Sequence, residues 1–105
     1  MVIDMTFNQK VWNALRQIPR GKVATYSSIA KQVGSPKASR AVGNACNRNE
    51  HAPVVPCHRV VASDGNLGGY AGGLKKKIQL LKKEGIEIDI QNNKIANFDS
   101  VKWTK

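Results

Sequence analysis

Apolar residues recur at helical spacing in four stretches of the chain, and turn residues separate them. Phe7, Val11, Leu15 and Ile18 mark one face of a helix predicted over Thr6 to Ile18. Thr6 and Gln9 make a capping-box pattern at its start. Pro19-Arg20-Gly21-Lys22 breaks it as a turn. Thr25 caps a second predicted helix that runs through Val33, with Ile29, Ala30 and Val33 inward and Gly34 at its C-terminal end. A third helix is predicted from Ser35-Pro36, with Pro36 in its first turn and Ala38, Ala41, Val42 and Ala45 facing inward.

Residues 48–73 lack helical spacing. Val54-Val55 and Val60-Val61 flank a short polar segment, and a glycine-rich loop runs from Gly65 to Gly73. That loop lacks the spacing of a phosphate-binding fingerprint, so no nucleotide site is assigned. Leu74 to Glu84 reads as a fourth helix with Leu74, Ile78 and Leu81 as its core stripe, ended by Gly85. Its lysines, Lys75, Lys76, Lys77, Lys82 and Lys83, read as a solvated face. Ile86 to Ile90 alternates like a strand, Asn92-Asn93 turns it back, and a second strand is predicted over Lys94 to Phe98. Trp103 reads as a packing anchor for the tail. The predicted class is mainly α with short strands.

The second and third helices, joined by a few residues including glycine, have the spacing of a helix-turn-helix over about 25–48. The alternative is an ordinary helical hairpin. Charge adds weight to the first. Seventeen Lys and Arg against seven Asp and Glu give +10 in 105 residues. A basic surface of this kind gains affinity for nucleic acid by releasing condensed counterions. Length predicts one domain over 1–105, and no apolar stretch is long enough to cross a bilayer. Met1 to Thr6 lacks the pattern of a secretory signal. The expected location is cytoplasmic, or nuclear in a eukaryote, where the two cysteines would be free thiols.

The chemistry concentrates in residues 53–61, Pro-Val-Val-Pro-Cys-His-Arg-Val-Val. Cys57 stands between a proline and a histidine, and a thiolate raised in population by a nearby base is a strong nucleophile. A buried apolar cysteine is the plainer reading. On an extended segment His58 would point away from the sulfur. Cys46 reads as a buried small residue. A metal cluster from Cys46, His51, Cys57 and His58 matches no ordinary zinc spacing, so neither metal nor cofactor is expected.

Taken together, these residues resemble the active-site domain of the O6-alkylguanine-DNA alkyltransferases. The resemblance rests on Pro56-Cys57-His58-Arg59-Val60, on Ile18 to Val23 with Tyr26, on Arg40-Ala41-Val42-Gly43-Asn44-Ala45 and on Asn49. It continues through Gly68 to Gly73, Leu80-Leu81 and Glu84-Gly85. It implies a winged helix-turn-helix-like single domain, with an active-site segment at 53–61 and a tail at 86–105. Many family members carry a further N-terminal domain, which this chain is expected to lack.

The implied activity is single-turnover DNA repair: Cys57 takes the alkyl group from O6 of a flipped guanine, irreversibly. By the same analogy His58 deprotonates Cys57 through a water, Glu84 orients His58, and Asn49 ties down the loop before Cys57. Tyr26, Arg40, Ala41, Gly43 and Asn44 would contact DNA, with Arg40 filling the gap left by the extruded base. Tyr70, Ala71 and Val60 would line the guanine pocket. The implied partner is double-stranded DNA bearing O6-alkylguanine, bound by a monomer. Glu50 and His51 depart from the family pattern, in which proline often follows the asparagine, and are expected to loosen that loop. A rival reading is a non-enzymatic alkyltransferase-like lesion sensor that recruits another repair pathway. Such proteins usually replace the acceptor cysteine with tryptophan, which Cys57 does not fit. A plain helix-turn-helix regulator is a third.

Overall fold

The capping box at Thr6 forms as its residue types dictate. The Thr6 side chain accepts from the Gln9 amide, the Gln9 side chain accepts from the Thr6 amide, and helix α1 (Phe7–Leu15) follows. The protein is described here by a computed structural model covering residues 5–105, so Met1 to Asp4, read above for a secretory signal, lie outside the described residues. Val11, Ala14 and Leu15 of α1 are buried.

The chain then enters strand β1 (Ala24–Thr25) and helix α2 (Tyr26–Gln32), which Thr25 and Ser28 cap reciprocally. Helix α3 (Ser39–Asn47) starts later than its sequence predicts. Ser35 to Lys37 form a turn instead, closed by the Ala38 amide on the Ser35 carbonyl at 2.9 Å. Pro36 therefore precedes the helix rather than sitting in its first turn. Val42, Ala45 and Cys46 are the buried face of α3, while Ala38 and Ala41 are only half-buried.

A 3₁₀ turn (Cys57–Arg59) leads into strand β2 (Val60–Val61). β2 pairs in parallel with β1, Ala24 opposite Val60 and Thr25 opposite Val61. This pair stands between two cores. Ala24 and Val60 join Val11, Leu15, Ile29, Val42 and Cys57 in one, whereas Val23 and Val61 join Leu67, Leu81, Ile86 and Ile95 in the other. Period-2 alternation thus lets two short strands serve both cores.

Helix α4 (Leu74–Lys83) ends in a Schellman motif. The Ile86 amide bonds the Leu81 carbonyl at 3.2 Å, the Gly85 amide bonds Lys82 at 3.0 Å, and Gly85 takes a φ of +84°. Two features of α4 correct the sequence reading. Leu74, at the first position after the glycine loop, is 38% exposed, and Lys77 is 0% exposed. The predicted hairpin forms from β3 (Ile88–Asp89) and β4 (Lys94–Ile95), shorter than expected. Phe98–Val101 forms a one-turn helix, α5, where the second strand was predicted to continue to Phe98. Trp103 packs against the first core, and its amide bonds the Val23 carbonyl at 2.7 Å. The architecture is mainly helical with short strands, the α2–α3 pair forming a helix-turn-helix.

Candidate active site

Pro56 bends the backbone so that its carbonyl accepts from Arg59 at 3.0 Å, and the Cys57 amide bonds Val55 at 2.9 Å. Cys57 therefore lies in a 3₁₀ turn, not in the extended segment predicted. The residue is 3% exposed and belongs to the core shared by α1, α2 and α3. The loop leading to it is pinned. Asn49 donates its side-chain amide to the Val55 carbonyl at 2.7 Å and accepts from the His51 amide at 2.9 Å. The Val55 amide bonds the His51 carbonyl at 2.9 Å. Glu50 and His51 thus sit within a loop closed by three bonds, against the expectation that they loosen it.

His58, buried at 2% exposure, meets Glu84 at the end of α4: Nε2 lies 2.7 Å from Oε2. Burial alone would push Glu84 up, but Arg59, the Gly21 amide and His58 outweigh it and hold the carboxyl at about 2. An ionised carboxylate only accepts, so Nε2 carries the proton in this bond. The other ring nitrogen, Nδ1, is buried with no hydrogen-bond partner among the described residues. Burial lowers the pKa of His58, Glu84 raises it, and Arg59 and Lys77 lower it, with a net fall. The imidazole is therefore neutral near pH 7 and its Nδ1 lone pair is open.

Two residues of this centre carried no role in the sequence reading. Arg59 forks onto Glu84, Nε to Oε1 at 2.9 Å and Nη2 to Oε2 at 3.1 Å. Lys77 donates to the Val60 carbonyl at 2.7 Å, to the Gly69 carbonyl at 3.1 Å and to the Leu67 carbonyl. Three carbonyls use the three ammonium protons and fasten the glycine loop to β2. Burial pulls Lys77 down to about 8, so it stays cationic at neutral pH. A signal for it was present: position 77 lies three after Leu74 and four before Leu81, on the apolar stripe. Arg59 offered no such signal, because its partner is 25 residues away. The Val60 carbonyl, expected to face a guanine, already accepts from Lys77, although a carbonyl has a second lone pair.

A groove of about 440 Å³ runs between α3 and the glycine loop, lined by Tyr26, Arg40, Gly43, Asn44, Cys46 and Gly68 among others, and Cys57, His58 and Glu84 are not part of its lining. Arg40 and Asn44 are exposed. Gly68, at φ +69°, brings the loop so close that a Cβ there would meet the Tyr26 hydroxyl at 2.8 Å. The Tyr26 ring is half-buried with Lys77 Nζ 6.0 Å from its centroid. Burial, then the thiols of Cys46 and Cys57, raise its phenol to about 12. Cys46 is buried, and burial followed by Cys57 lifts its thiol to about 12, which suits a spectator rather than a nucleophile. Tyr70 is half-buried against the first core, its phenol raised by burial and by Cys57. Ala71 is exposed and Ala41 half-buried, off the groove. Among the described residues, no group of three His, Cys, Asp or Glu is placed to hold a metal, and no helix is long and apolar enough to cross a membrane.

The family profile described as "6-O-methylguanine DNA methyltransferase, DNA binding domain" matches residues 6–86. A methylated-DNA–protein-cysteine methyltransferase of Methanosarcina acetivorans is 60% identical over 79 residues, covering 75% of this chain and 51% of that protein. The one from Mycobacterium leprae is 54% identical over 78 residues, covering 74% of this chain and 47% of its own. The chain thus spans about half the length of these relatives. Among solved structures, Mycobacterium tuberculosis OGT in complex with DNA superposes with a TM-score of 0.75 at 46% identity, over 81% of this chain and 52% of that one. S. pombe Atl1, in complex with damaged DNA containing O6-carboxymethylguanine, gives 0.84 at 33% identity, over 98% of this chain and 100% of that one.

Proposed function

Since the chain belongs to the family of 6-O-methylguanine DNA methyltransferase DNA-binding domains, we propose that it repairs O6-alkylguanine in duplex DNA by moving the alkyl group to Cys57. The observation that carries this is the buried His58–Glu84 pair, whose remaining ring nitrogen has no protein partner, next in the chain to a buried thiol. Nδ1 takes the Cys57 proton through a water, and Glu84 fixes the tautomer and stabilises the imidazolium. The thiolate attacks the alkyl carbon, the C–O bond breaks as the C–S bond forms, and the electron pair returns to the purine. The proton released from sulfur replaces the alkyl group, so thiol and O6-alkylguanine become thioether and guanine. The thioether has no proton to lose and no route back, so each chain acts once.

The exposed Arg40 and Asn44, with Gly43 and Ala41 on the same helix, dock α3 into a DNA groove, and Arg40 occupies the space of the extruded base. Tyr26, at the wall between α3 and the glycine loop, guides the flipped nucleotide, and Tyr70, Ala71 and Val60 surround the base. Asn49 holds the segment that carries Cys57. The unit that does this is one domain, with the helix-turn-helix over about 25–48, the active-site segment at 53–61 and the tail at 86–105. It works as a monomer in the compartment that holds the DNA.

One observation favours a second reading. The likeness to Atl1 extends over the full length of that chain, so a protein of this size in complex with damaged DNA is a structural neighbour. Incubation with a duplex carrying one O6-methylguanine separates the two. Restored guanine, rising to one per protein chain, is the expected result. Tight binding that leaves the lesion intact would replace repair with sensing.

A further inference from the structure

Glu84 has two oxygens and four donors. Oε1 accepts from Arg59 Nε at 2.9 Å and from the Gly21 amide at 3.0 Å, and Oε2 accepts from His58 at 2.7 Å and from Arg59 Nη2 at 3.1 Å. The third guanidinium nitrogen, Nη1, donates to the Ile18 carbonyl at 2.8 Å. Arg59 is thus held in one plane by three acceptors and shares the histidine's own carboxylate oxygen. The carboxylate is 6% exposed and the guanidinium 16%, so water screens this exchange little.

We infer that Arg59 is a positioning residue that divides the charge of Glu84 with His58 and so helps burial keep the imidazole in its neutral, proton-accepting form. The inference rests on the alkyl-transfer reading for its purpose, but not for its geometry. A carboxylate bonded to an imidazole in the interior favours the imidazolium, which has no lone pair for a thiol proton. A guanidinium forked onto the same carboxylate opposes that pull while leaving the Nε2 bond in place. The charged groups facing His58 are few. Glu84 and Lys77 come from α4 and its end and Arg59 from its own turn, and the buried residues of α1, which packs against this turn, are the uncharged Val11, Ala14 and Leu15. Lys77 is committed to three carbonyls, so Arg59 is the cation that touches the carboxylate. A lysine at 59 would supply charge without the planar fork.

The test is the titration of the His58 ring, followed by NMR in the wild type, Arg59→Gln and Arg59→Lys. Arg59→Gln should raise the His58 midpoint by about one pH unit, and Arg59→Lys by less. Rates of alkyl transfer should fall about tenfold on the acid side of neutrality in Arg59→Gln and converge with the wild type in alkaline buffer. A folded Arg59→Gln whose His58 midpoint stays put would overturn the inference, as would a rate loss equal at every pH. Should Arg59→Gln fail to fold, Arg59→Lys decides by the same midpoint. If the midpoint moves but the rates ignore it, the division of charge stands and His58 as the base for Cys57 is lost.

Discussion

Around Cys57, the side chains of His58, Arg59, Lys77 and Glu84 are turned on one another and on backbone carbonyls. On α3, Arg40 is exposed and makes no hydrogen bond or ion pair among the described residues. The two regions are built in opposite ways. A displacement at carbon needs nucleophile and base fixed to fractions of an ångström, and buried, hydrogen-bonded side chains provide that. Docking on a polyanion needs charge still available to bond, and an exposed helix face provides that. The contrast predicts that changes near Cys57 alter chemistry and stability together, whereas changes on α3 alter DNA handling alone.

The severest break is Cys57→Ala. It should abolish transfer while leaving binding to a lesion-bearing duplex intact, as read by gel shift. Equal loss of both would make the thiol structural. Next in size is Lys77→Met, which matches the volume of the stem but leaves three interior carbonyls without their donor. It should cost about 3 kcal/mol in urea unfolding. A surface-like loss of a few tenths would mean the clamp is dispensable.

Glu84→Gln should slow transfer about a hundredfold, since the histidine loses the charge that stabilises its protonated form. It should also change acid unfolding. The Glu84 carboxyl is depressed from an ordinary 4.5 to about 2 in the folded chain, so its contribution is full above about 4.5 and lost as pH falls towards about 2. The variant should lack that sloping loss in a pH series of denaturation midpoints. The smallest effect is expected on the other side of the contrast. Arg40→Ala should slow repair in duplex DNA about tenfold, a part of the few kcal/mol that flipping costs. Its reaction with free O6-alkylguanine and its stability should be unchanged. Comparable losses on both substrates would remove Arg40 from the flipping role.

Much of the architecture was legible because local rules govern it. The Thr6 and Thr25 caps, Gly34 and Gly85 at helix ends and the Asn93 turn each depend on neighbours within a few residues. The start of α3 was misread because proline is equally at home in a first helical turn and in the turn before one. The positional signal at Lys77 was masked by composition. Five of the ten residues of α4 are lysine, and residue type alone does not separate the one on the apolar stripe from the four that are not. The Arg59–Glu84 fork lay beyond reach for a different reason: it joins a 3₁₀ turn to a helix end through folding, with no periodicity to mark it. The thiol and its imidazole could be picked out by their motif, but not the turn that sets their relative direction.

The most direct measurement is peptide mapping after reaction with an excess of O6-methylguanine duplex. Trypsin cuts after Arg40, Arg48 and Arg59, which separates the two cysteines into different peptides. Residues 49–59 should carry one methyl group per chain and residues 41–48 none. Methyl on Cys46, or on neither cysteine while the lesion stays bound, would contradict the account.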